Sequence, residues 1–128
     1  MTGQEERLQA LRIKLKAVTG SVRSIYEAIQ DHNQAIAQIR QKMRADFPTL
    51  EGIRPSNLSQ HFSLYFGGKG AAQEAEYKKL LASIQPHEVE IMPLQAELER
   101  LEAIQSPLNE LIGHCEQWLR DQRRGVAP

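Results

Sequence analysis

"LQALRIKLKAVTGSVRSIYEAIQDHNQAIAQIRQKM", residues 8–43, decides the fold class. Starting at Leu8 and stepping alternately by three and four gives Leu8, Leu11, Leu15, Val18, Val22, Ile25, Ile29, His32, Ile36, Ile39 and Met43. Only His32 is not apolar. Apolar residues at the a and d positions of a heptad, held for about five repeats, predict one long helix with a seam to bury. Gly20 interrupts the pattern once, at a cost of about 1 kcal/mol relative to Ala. The predicted helix covers 4–46 and is roughly 60 Å long at 1.5 Å per residue. Pro48 ends it, because the residue before a proline disfavours the helical region.

A second heptad track follows in the C-terminal half. It reads Tyr77, Leu80, Ile84, His87, Ile91, Leu94, Leu98, Leu101, Gln105, Leu108, Ile112, Cys115 and Leu119. Pro86, Pro93 and Pro107 fall inside it. An interior proline costs about 3 kcal/mol and kinks or breaks a helix. The second half is therefore expected as three helical pieces, 71–84, 86–105 and 107–124, with 125–128 as a tail. Ser106 before Pro107 supplies an N-cap signal for the last piece.

Two long helices joined by a short connector most simply fold back on each other. The predicted class is all-α. It is a long antiparallel helical hairpin, coiled coil or small bundle, forming one domain over residues 1–128. Charge favours that orientation, since Arg7, Arg12, Lys14, Lys16 and Arg23 would face Glu97, Glu99, Glu102 and Glu110. Each such exposed pair is worth little. The fold-back brings His32 near His87, in adjacent layers, as a candidate polar core layer that fixes register. Ile13, Leu81, Val89, Met92, Ile104, Leu111 and Trp118 lie off the seam. The C-terminal face is thereby wider than a two-stranded coil needs. Leu111, Cys115, Trp118 and Leu119 form a candidate oligomer face, and self-association is expected.

The connector, "FPTLEGIRPSNLSQHFSLYFGGKG" (47–70), holds all three Phe residues. Phe62, Leu64 and Phe66 alternate as in a strand. Leu58, Phe62 and Tyr65 (or Phe66) also share a helical stripe, with a capping box at Asn57 and Gln60 and a C-cap at Gly67. A short helix is preferred. Gly68-Lys69 resembles the end of a phosphate loop, but Ser63 replaces the first glycine and Gly70 the Ser/Thr, so no nucleotide site is predicted. The connector either plugs the end of the helix pair or presents a partner-binding tip, with Arg54, Phe62, Tyr65, Phe66 and Lys69 as candidates. Arg40, Lys42, Arg44, Lys78 and Lys79 crowd the same end, against Asp46, Glu51, Glu74 and Glu76.

Composition excludes other classes. Lys plus Arg equals Asp plus Glu, 16 each, so the net charge is zero and a dedicated nucleic-acid binder is not expected. One Cys forms no disulfide framework, and no His/Cys cluster suggests a metal. No catalytic constellation and no cofactor motif is present. Cys115 beside His114 is expected as a packed, inert thiol. With no signal peptide or membrane span in the pattern, a cytoplasmic location is expected.

The order of helix, aromatic connector and helix is similar to that of prefoldin-type chaperone subunits, which place β-hairpins between coiled-coil arms. The three prolines depart from uninterrupted arms. The expected function is a non-catalytic protein-interaction module: an adaptor, assembly subunit or small inhibitor protein. A chaperone-like holder of client polypeptides and nucleic-acid binding through the basic end are the alternatives.

Overall fold

The computed structural model describes residues 3–50 and 52–125. It is all-helical, with two long helices packed against each other and no strand among the described residues. Helix α1 runs Gly3–Asp46, α2 runs Leu58–Phe66 and α3 runs Gly70–Arg123. Short 3₁₀ turns at Pro48–Leu50, Pro55–Asn57 and Gly67–Lys69 complete the connector. Helix α1 passes through Gly20 without interruption. Glu5 and Glu6 in its first turn and Arg44 in its last complement the helix dipole. The Phe47 N–H still bonds the Met43 carbonyl at 2.8 Å, and then Pro48, which has no N–H, stops the ladder.

The three expected pieces of the second half are a single helix, α3. The reason lies in where the prolines sit. Pro86, Pro93 and Pro107 are spaced by multiples of seven, so all three occupy the same outward heptad position, and all are exposed. Each proline removes the hydrogen bond to the carbonyl four residues earlier, on Ala82, Val89 and Ala103. Those residues are also exposed, so water can serve the freed carbonyls. Buried seam residues continue on both sides of every proline, from Ile84 and Ile91 through Leu98 and Leu101 to Leu108 and Ile112. Tertiary burial of one face holds the helix through positions that propensity alone would break. Helix α3 closes at Gly125, whose φ of 74° suits glycine after a helix C-terminus. Residues 126–128 of the expected tail lie outside the described residues.

By its internal packing the chain forms two compact units. The first joins the segment up to Ala28 with that from Pro93 onward. Its core is Leu8, Ile112 and Cys115, with Leu11, Leu15 and Leu119 packed against them. Gln105 Nε2 donates to Thr19 Oγ1 at 3.1 Å, and Arg12 pairs with Glu116 at 3.6 Å. Glu97, expected opposite the basic start of α1, instead binds Arg100 on its own helix.

The second unit is Ile29–Met92. Ile36, Ile84 and Ile91 form one core cluster, with Ile29, Ile39 and Met43 beside them. Phe47, Leu50 and Phe62 form another, with Ile53, Leu58, Phe66, Tyr77 and Leu80 against it. Aromatic rings organise this second cluster. Phe47 meets Phe62 and Tyr77 edge-on, with centroids 5.9 and 5.5 Å apart, a favoured arrangement for such rings.

Candidate partner-binding site

The connector segment 58–66 is a helix, and the strand alternative falls. Asn57 makes no side-chain cap, so the expected capping box does not form. What fixes α2 is burial of its inner stripe. Phe62 is fully buried, and Phe66 stacks on it at 5.6 Å. Gly67 ends the helix at φ 59°, a region that side chains rarely adopt. Gly70 has a different role. A Cβ there would lie 2.5 Å from the Phe62 carbonyl oxygen, so the start of α3 abuts the α2 backbone. Ser59 Oγ donates to Glu74 Oε1 and ties α2 to α3 a second time. That bond, together with Lys78 at 3.1 Å, holds the Glu74 carboxyl below its ordinary range.

The five candidate tip residues divide. Phe62 is fully buried and offers no binding surface, whereas Phe66 is partly buried and packs against the core cluster. Arg54, Tyr65 and Lys69 are exposed. Tyr65 stacks on His61 at 5.5 Å while 62% of it faces solvent, and Leu64 beside it is 79% exposed. Phe62, Tyr65 and Phe66 all lie on one side of the helix, but Phe62 and Phe66 pack into the core cluster while Tyr65 sits at the exposed edge of that stripe.

A concavity of about 250 Å³ lies in the same unit, lined by Arg40, Met43, Arg44, Phe47, Pro48, Leu50 and Tyr77. Sequence reasoning counted Arg40 and Arg44 among basic residues but did not assemble this site. The signal was there. Arg40 and Arg44 are four apart, as are Met43 and Phe47, so charge and apolar surface run side by side along α1. Several cations of this unit are engaged. Lys42 pairs with Asp46 at 2.9 Å, Lys78 with Glu74, and Arg40 loosely with Glu88 at 3.9 Å. Arg44, Arg54, Lys69 and Lys79 make no ion pair with another described residue. An apolar floor beside guanidinium groups can seat an apolar side chain and hold a neighbouring carboxylate by forked hydrogen bonds.

The candidate oligomer face is narrower than expected. Cys115 and Leu119 turn inward onto the Leu8 cluster. The Cys115 thiol faces the Gln4 carbonyl at 3.4 Å and is buried, which leaves it shielded from reagents. Leu111 stays 40% exposed and Trp118 is half-buried. With Gln4, Arg7, His114 and Cys115 they line a groove of about 240 Å³ in the first unit.

His32 and His87 come into direct contact, not into adjacent layers. Their Nδ1 atoms are 2.9 Å apart. Glu90, which the heptad track did not include, reaches His32 Nε2 at 3.0 Å. Its spacing of three from His87 places both on one face of α3. Among the described residues no group of three or more His, Cys, Asp or Glu is disposed to hold a metal ion. No described helix is long and apolar enough to cross a membrane. Compared with protein-family models, curated proteins and solved structures, the chain matches none.

Proposed function

We propose that this chain is a non-catalytic protein-interaction module, an antiparallel helical hairpin acting in the cytoplasm as an adaptor, assembly subunit or small inhibitor protein. The observation that supports it is the concavity formed by Arg40, Met43, Arg44, Phe47, Pro48, Leu50 and Tyr77. Its partner is an acidic protein segment carrying an apolar or aromatic side chain. The side chain enters the concavity, and carboxylates meet Arg44 and Arg40. Arg and aromatic residues are the types that dominate interface energetics, and charge complementarity sets the choice of partner.

The test compares capture of proteins from native cell extract by the intact chain and by an Arg40→Glu/Arg44→Glu variant. The expected result is a partner retained by the first and lost by the second, with the helical content of both unchanged. Equal capture by both removes the concavity from the function. General suppression of aggregation of unrelated proteins would instead support a chaperone-like holder. Retention of nucleic acid that falls steeply with salt would support the third reading.

Self-association is a second reading, carried by the exposed Leu111 and its groove with Trp118. Sedimentation of the intact chain over a concentration series checks it. A dimer that Leu111→Glu disperses supports the reading, and a monomer at all concentrations ends it.

A further inference from the structure

The contact between His32 and His87 constrains protons. Their rings lie 5.2 Å apart by centroid and are tilted at 59°. A hydrogen bond between two ring nitrogens needs a hydrogen on one and a lone pair on the other. Glu90 Oε2, 3.0 Å from His32 Nε2, selects the arrangement in which that nitrogen carries hydrogen. His32 Nδ1 then has two ways to meet His87. In the neutral pair it accepts from the His87 Nδ1–H. With one proton added, His32 is an imidazolium that donates to the His87 Nδ1 lone pair and to Glu90 together.

A second proton fits neither arrangement. It puts hydrogens on both facing nitrogens and a positive charge on both rings. The surroundings offer little relief. On α1 the neighbours of His32 three and four residues away are Ala28, Ile29, Ala35 and Ile36. On α3 the neighbours of His87 are Ser83, Ile84, Glu90 and Ile91. Glu88 is directed to Arg40 at 3.9 Å, and Asp31 is exposed. Among the described residues Glu90 is therefore the one carboxylate in contact with the pair, and it can offset one of two charges.

We propose that His32, His87 and Glu90 form a proton-operated latch within the Ile29–Met92 unit, closed with no added proton or one and opened by the second. Its sign follows from linkage. The open pair binds one proton more than the closed pair, so lowering the pH favours the open state and raising it favours the closed one. The Ile36, Ile84 and Ile91 cluster lies within a turn of the two rings and loosens with it. The Leu8, Ile112 and Cys115 core of the other unit contains no histidine.

The test is amide hydrogen exchange on the intact chain at about pH 7.5 and about pH 5, read as protection factors that remove the intrinsic pH effect. Amides over 84–91 are expected to lose protection about tenfold, the factor that one proton contributes over one pH unit. Amides over 108–115 are expected to keep theirs. His87→Gln is expected to abolish the difference, and His61→Gln, in the same unit, to retain it. If His87→Gln does not fold, His32→Gln removes the other ring and serves equally. Equal loss in both units, no loss, or an undiminished response in the variant lacking either ring overturns the proposal.

Discussion

Two glycines separated by a single residue make the residue-scale case. Gly68 faces open space, whereas a Cβ on Gly70 would meet the Phe62 carbonyl oxygen at 2.5 Å. Helix propensity favours Ala at both positions, so the close approach alone separates them. Gly70→Ala is expected to destabilise the chain by about 1–3 kcal/mol, because backbone must shift. Gly68→Ala is expected to be neutral or stabilising by up to about 1 kcal/mol. Urea unfolding midpoints check both, and equal effects would remove the packing role of Gly70. The sequence marks these glycines as a break between helices. It does not show which one carries a steric constraint, because the opposing atoms are backbone of a different element. Phe62 and Tyr65 show the same limit. Their spacing allows either as the buried residue, and only the position of Phe47 and Tyr77 selects Phe62.

At the scale of elements, the heptad tracks locate both long helices to within a residue or two at their outer ends, because an apolar period near 3.5 over many turns has no other regular use. The breaks expected at Pro86, Pro93 and Pro107 do not occur, because a proline penalty taken singly leaves out the outward position that all three share. That position is visible in their spacing. The tie between α2 and α3 is not legible at all, since Ser59 and Glu74 are polar residues with no pattern linking them. It is testable by titration. Ser59 lowers the Glu74 carboxyl more than any other group does, with Lys78 second. A folded-state value below the unfolded one means that the tie contributes above the ordinary carboxylate range. Its contribution is lost as pH falls through the lowered value. Ser59→Ala is expected to move the Glu74 midpoint up toward the ordinary value, followed by carboxyl carbon NMR. An unchanged midpoint would assign the lowering to Lys78 alone.

For the molecule as a whole, composition and periodicity supply the all-helical class and direct attention to the connector. They do not supply the site, because Arg40 and Arg44 on α1, Pro48 and Leu50 in the connector, and Tyr77 on α3 converge only after folding. The Ile29–Met92 unit is as neutral as the whole chain, so its total charge does not mark the site. What marks it is local: Arg40 and Arg44 line the concavity beside apolar side chains, and Arg44 forms no ion pair with another described residue. The proposed partner chemistry rests on those guanidinium groups beside an apolar floor. It is tested most directly by anisotropy titration of the intact chain with three labelled peptides. They share one central aromatic residue and differ only in flanks of Glu, Gln or Lys. The expected result is saturable binding of the Glu peptide, weakened by salt, little binding of the Lys peptide, and a reversed preference in Arg40→Glu/Arg44→Glu. Binding that ignores flank charge, or that survives the double substitution unchanged, would contradict the assignment of the concavity as the partner site.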